Sequence, residues 1–146
     1  MDDKELAMRA MWPDGRPDDV APPLHREMGL RLKQLAPTTV LTMEINDTTR
    51  GLAPVSVHGG MLATFADVAS AVSLWKYQDA QANIPVTIDM HIRYYRQPKA
   101  GPLIAEVEVV HAGRQLLCSE CVITDAEQRV LARTAATFML VPVATG

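Results

Sequence analysis

Between Met61 and Tyr77 the chain is apolar on almost every side, and Asp67 is the only charge before Lys76. The pattern predicts a buried helix rather than a surface one, since no broad polar face separates from the apolar one. Small side chains on several sides, Ala63, Ala66, Ala69, Ser70, Ala71 and Ser73, allow other backbone to approach closely, as when a sheet wraps round a helix. A membrane span needs about 20 predominantly apolar residues. This run is shorter and carries an acid near its middle.

The segments around it alternate with period two and predict strands. "PLHREMGLRLKQL" reads as a helical turn and then a strand, and "TTVLTMEIND" continues as strand. After the helix, "PVTIDMHIRYYRQP" places Val86, Ile88, Met90, Ile92 and Tyr94 on one face and Thr87, Asp89, His91, Arg93 and Tyr95 on the other. "GPLIAEVEVVH" sets Leu103, Ala105, Val107 and Val109 opposite Glu106 and Glu108, "HAGRQ" turns into "LLCSECVIT", and "DAEQR" turns into "VLARTAATFMLVP". A strand, a helix and then a run of antiparallel strands predict an α+β domain, one curved antiparallel sheet round one long central helix.

Length and composition narrow this further. The 146 residues, 48% hydrophobic, suit one core. Residues 1–28 read as an N-terminal helix and a proline-rich acidic segment, and residues 29–146 as the single domain. A net charge of −3 with dispersed basic residues gives no stripe for nucleic acid. The N-terminus lacks the basic-then-apolar order of a signal peptide, which favours a cytoplasmic protein. Cys118 and Cys121 have CxxC spacing but lie in a predicted strand, where positions three apart face opposite ways. His25, His58, His91 and His111 are scattered, so no metal site is expected.

The chemistry concentrates in "VHGGMLATFAD", residues 57–67. His58, Gly59 and Gly60 fall where loop becomes helix, so backbone N–H groups there are free and carry the positive end of the helix dipole. Glycines let a ligand carbonyl approach the main chain, although an ordinary glycine-rich helix start has the same composition. Asp67, with Phe65, Ala66, Val68 and Ala69 around it, is costly if desolvated and unpaired. It is either a working carboxylate or a surface acid on a wet stripe of Thr64, Asp67, Ser70 and Ser73. Eight residues separate Gly59 from Asp67, roughly 12 Å along one helix at 1.5 Å per residue. Acting on one carbonyl, the two must come from different subunits, most simply across a two-fold with antiparallel helices.

The sequence resembles the hotdog-fold acyl-CoA thioesterases of the phenylacetate-pathway type. The features that carry the likeness are His58, Gly59 and Gly60, an aspartate seven residues later (Asp67), "VTIDMHIRYYRQPKAGP" and "VVHAGRQ", within a span from about Gly29 to Leu140. The resemblance implies a homodimer, or a dimer of dimers, that hydrolyses a small-molecule acyl-CoA or aryl-CoA without metal or resident cofactor, coenzyme A being part of the substrate. It further implies that the Gly59 amide polarises the carbonyl, that Asp67 of the partner subunit activates or acts as the nucleophile, that Thr87 helps hold the water, and that His58 shapes the loop. Leu52, Val55, Gly60, Met61, Leu62, Phe65 and Trp75 become candidates to line the substrate pocket at the dimer seam. Arg93, Arg96, Lys99 and Arg114 become candidates for the coenzyme A phosphates, each equally readable as a solvated basic residue. Membrane and nucleic acid are not expected partners.

Two positions depart from the family pattern. Where it carries Asn or Gln six residues before the histidine, this chain has Leu52, flanked by Gly51 and Ala53; the nearest upstream asparagine is Asn46. Loss of one oxyanion donor costs roughly 2.7 to 4 kcal/mol of barrier, which keeps open a non-hydrolytic acyl-CoA binding protein of the same fold. Thr87 is the second, because strict alternation points it away from its own helix unless a bulge or a dimer seam intervenes. A hotdog dehydratase or hydratase places its histidine and acid differently.

Overall fold

The computed structural model describes residues 1–79 and 81–144. Its elements in chain order are α1 (Asp3–Ala10), a 3-10 turn (Pro13–Gly15), α2 (Pro23–Glu27), β1 (Arg31–Gln34), β2 (Thr39–Met43), α3 (Gly59–Ser73), β3 (Asn83–Tyr94), β4 (Leu103–Ala112), β5 (Leu116–Thr124) and β6 (Val130–Pro142). The strands form one antiparallel sheet in the order β1-β2-β4-β5-β6-β3, and α3 packs against β2, β3, β4, β5 and β6. One sheet curled round one helix is the expected architecture. The stretch read as a continuous strand before the helix is instead two antiparallel strands, because the chain reverses at Leu35–Thr38.

The small residues of α3 work as anticipated: Ala66, Ala69 and Ser70 are completely buried, so helix and sheet backbones approach closely. Phe65 fills the space between them with Leu41, Met43, Leu103, Ala105 and Ile123. The helix stops at Ser73, shorter than the apolar run, because Leu74 and Trp75 enter the core from the turn that follows. Phe65, Leu62 and Trp75 are therefore core residues, at 0%, 2% and 4% exposure, and not the pocket lining expected of them. At the N-terminus α1 is capped by Asp2, whose carboxylate accepts from the Glu5 N–H at 2.8 Å. Met8 and Trp12 join the same core cluster as Leu62, Phe65 and Val72.

Cys121 points into this core, where burial pushes its thiol up to about 12, while Cys118 sits half-buried beside Thr137 on the other face. The two thiols diverge as strand geometry requires. Among the described residues no three of His, Cys, Asp and Glu come together, and no helix is long and apolar enough to cross a membrane.

Candidate active site

His58 is the N-cap of α3, with φ −57° and ψ 132° and no side-chain cap. Its own N–H donates to the Thr49 carbonyl at 2.9 Å, and its carbonyl accepts from Met61 and Leu62. Gly59 and Gly60 are left as the first helical residues, and their N–H groups have no hydrogen-bond partner among the described residues. They form the positive end of a 15-residue helix. A Cβ at Gly60 would meet nothing within 4 Å, and one at Gly59 would meet only the Tyr94 ring, at ordinary contact distance. Packing within the chain thus does not demand glycine at either position, and the bare main chain there can be approached closely.

Asp67 lies two turns along, half-buried. The Thr87 hydroxyl donates to its Oδ1 at 2.6 Å, while Oδ2 has no partner among the described residues. The difficulty over Thr87 is resolved by a bulge: β3 pairs Thr87 with Phe138 and Asp89 with Thr137, leaving Ile88 as an extra residue. The side-chain parity of the strand inverts there. Before the bulge Thr87 faces α3; after it Met90 and Ile92 pack on the core and Tyr94 reaches α3. Val86 and Ile88, expected on the helix side, are 41% and 51% exposed. The anticipated wet stripe is also different, since Ser70 and Ser73 are buried and the half-exposed face runs Thr64, Asp67, Val68, Ala71.

Two residues overlooked in the sequence complete the frame. The Tyr94 hydroxyl donates to the Gly59 carbonyl at 2.8 Å. The Gln97 side chain accepts from the Val57 N–H at 3.0 Å and donates to the Val57 carbonyl at 3.4 Å, which pins the loop just ahead of the glycines. Asn46 is spent elsewhere, holding the 46–49 turn and the Glu27 carbonyl. Leu52 is fully exposed and Val55 half so, and Met61 is half-buried.

The basic candidates are not gathered. Arg93 faces away from α3, in a groove with His91, Glu120 and Arg133, because it neighbours the inward Tyr94. Arg96 and Lys99 follow β3, and Arg114 lies in the β4–β5 turn beside Gln115, whose carbonyl binds Leu140 near the other end of β3.

Within one chain, β3 therefore fastens both halves of the constellation, Gly59 through Tyr94 and Asp67 through Thr87, on the same sheet edge. Solved structures of the same shape include a thioesterase family protein from Silicibacter pomeroyi (17% identity, 95% of this chain and 98% of that one, TM-score 0.80). They also include the PaaI protein of the Escherichia coli phenylacetic acid degradation operon (21% identity, 94% and 91%, TM-score 0.73) and a variant of a thioesterase from Staphylococcus aureus (20%, 83% and 100%, TM-score 0.75). No curated protein matches in sequence. Residues 56–132, from the loop ahead of the glycines into β6, match the family model for the thioesterase superfamily. With more than half its length in that match and the hotdog fold throughout, the chain belongs to the thioesterase superfamily.

Proposed function

We propose that the protein hydrolyses acyl-CoA thioesters at two identical sites, each made from Gly59 of one subunit and Asp67 of the other. The observation that carries this reading is the pairing of a half-buried carboxylate, oriented by Thr87, with a helix start, the second carboxylate oxygen and the N–H groups having no partner among the described residues. The Gly59 N–H draws electron density to the thioester oxygen. Oδ2 of the partner subunit's Asp67 takes a proton from water as its oxygen bonds to the carbonyl carbon. The C–S bond then breaks and the proton passes to the sulfur, giving carboxylic acid and free thiol. Direct attack by the same carboxylate oxygen is the other chemistry this position serves.

The edge strand supports a shared site. β3 has 12 residues, a strand partner on one side only among the described residues, and Ile84, Val86 and Ile88 exposed along it. A free edge of that length and character invites pairing with another strand. Two β3 strands paired antiparallel about a two-fold near His91 bring Thr87 of each opposite the partner's Tyr94, and with them Asp67 and the partner's Gly59. Coenzyme A enters as substrate, and no metal or resident cofactor takes part.

A thioester panel with a thiol-reactive dye tests the reaction. We expect turnover on at least one member and, for Asp67→Asn, a loss of about a hundredfold or more in kcat. Equal rates for the two proteins refute the catalytic role. A hydrocarbon at position 52, exposed and unable to donate, favours one second reading, a non-hydrolytic acyl-CoA binding protein. Calorimetry then detects coenzyme A ester binding while the ester stays intact.

A further inference from the structure

A groove of about 490 Å³ lies between the N-terminal segment and the part of α3 that the sheet leaves uncovered. Met8, Met11 and Trp12 form one wall, and Val68 and Ala71 the other. Asp67 lines the same groove, one helical turn before Ala71. Its size is that of small-molecule pockets, which are mostly apolar with a few polar groups fixing orientation.

The N-terminal wall is built rather than draped. Met8 and Trp12 are each 6% exposed. The Asp18 N–H donates to the Met11 carbonyl at 2.8 Å, and the Asp18 carboxylate accepts from the N–H groups of Val20 and Ala21 at 3.1 and 2.8 Å. The Arg26 guanidinium donates to the carbonyls of Asp18 and Ala21 at 3.2 and 2.8 Å. His25, also on this wall, has its pKa lowered by burial, which favours the neutral ring. This wall lies outside residues 56–132, the stretch that matches the family model.

We infer that this groove receives the acyl part of the thioester, so that the N-terminal segment selects apolar acyl groups larger than acetyl, of medium chain length or aryl. The inference rests on the proposed reading that the thioester carbonyl is held against Asp67. A carbonyl held against Asp67 sends its acyl substituent along the half-exposed face of α3, past Val68 and Ala71, and the surface it meets there is Met8, Met11 and Trp12. Desolvation of each methylene is worth about fourfold in binding, so selectivity rises with chain length until the groove is full.

Two variants test it, Ala71→Phe, which fills the groove from α3, and Met11→Gln, which makes a half-exposed part of its wall polar and keeps the fold in reach if the first misfolds. Hydrolysis of acetyl-, hexanoyl-, decanoyl- and phenylacetyl-CoA is compared, alongside calorimetric binding of the inert thioethers S-ethyl- and S-decyl-coenzyme A. We expect wild type to favour the longer acyl groups, and the decanoyl-to-acetyl ratio in kcat/KM to fall about a hundredfold in Ala71→Phe, the worth of three to four methylenes. Met11→Gln lowers it by a smaller factor, and the S-decyl preference in binding falls in parallel. Ratios unchanged in both variants while hydrolysis persists overturn the acyl groove and leave the proposed reaction standing. A changed molecular mass with unchanged ratios likewise overturns it, making the groove a subunit contact. If wild type hydrolyses nothing yet its S-decyl preference disappears in the variants, the groove stands and the hydrolytic reading fails.

Discussion

β3 and β4 belong to one sheet and are of similar length, 12 and 10 residues, yet they are finished to different degrees. β4 is held on both sides, by β2 and β5, and buries Leu103, Ala105 and Val107 while Glu106 and Glu108 face out. From Leu103 to Val107 the requirements of that strand are met inside the chain, and its own irregularity, with Val110 exposed, comes only near its end. β3 has only β6, leaves apolar residues bare, and carries a bulge that turns Thr87 toward Asp67. Where the chain satisfies itself it builds stability; where it leaves an edge open it holds the groups to which the proposed chemistry is assigned. Changes at Thr87 and Tyr94 on β3, and at Gly59 and Asp67 on α3, are thus expected to alter turnover at nearly constant stability, and changes around β4 the reverse.

The sharpest way to break that comparison is to delete the Gly59 N–H alone. Proline is tolerated at the first helical position, and His58 already has the extended ψ of 132° that a following proline requires. Gly59→Pro is expected to lower kcat about a hundredfold or more, the usual worth of one oxyanion donor, with the melting temperature little changed. Gly59→Pro and Asp67→Asn chains unfolded and refolded together should then recover about a quarter of wild-type activity, since half the dimers are mixed and each mixed dimer has one intact site. No recovery indicates that both groups act within one chain.

On the finished side, Leu103→Ala removes a fully buried side chain from β4. A loss of about 3 kcal/mol in unfolding free energy is expected, with kcat per folded molecule unchanged; a fall in kcat at constant stability denies the division of labour. Asp125, buried in the β5–β6 turn, gives a somewhat smaller effect. Burial by itself raises its pKa, but the N–H donors of Lys99, Arg129 and Glu127 and the Arg129 charge outweigh that and hold it below the ordinary value of an aspartate. The contribution to stability is therefore complete above the unfolded value and is lost as pH falls through the lower folded one. Asp125→Asn keeps an acceptor for Glu127 and Arg129 but turns an amide donor toward the Lys99 N–H. It is expected to cost about 2 kcal/mol at neutral pH and to flatten the acid limb of unfolding curves.

The same contrast governs what the sequence revealed. β4 and the HGG start of α3 were legible because each is a local pattern, alternation in one and a glycine pair ahead of an apolar run in the other. Residues 83–94 alternate as cleanly as β4, but the extra residue at Ile88 is chosen by pairing with β6, so parity read from the sequence is wrong on one side of it. Tyr94 and Gln97 act on partners 35 and 40 positions away, and nothing nearby in the chain announces such contacts. Phe65, a pocket candidate only through the family resemblance, is fully buried under the sheet, and an all-round apolar helix does not say which side the sheet covers. Trp12 opens a segment whose prolines and acids suggest only loop, and nothing in the short helix before it announces that Met8 reaches the core.

The smallest expected effect probes the bulge itself. Thr87→Val preserves shape and strand propensity and removes one hydroxyl, leaving the Asp67 side chain free to turn. A hydrogen bond to a charged group that positions rather than reacts is worth on the order of 1 kcal/mol or somewhat more, so kcat is expected to fall about tenfold with KM and stability unchanged. Thr87→Ser, which keeps the donor, should restore most of the rate. If the serine variant is as slow as the valine one, the hydroxyl is not what Thr87 contributes, and the bulge serves the strand edge rather than the carboxylate. If Thr87→Val instead unfolds the protein, β3 is as finished as β4, and the contrast between the two strands is lost.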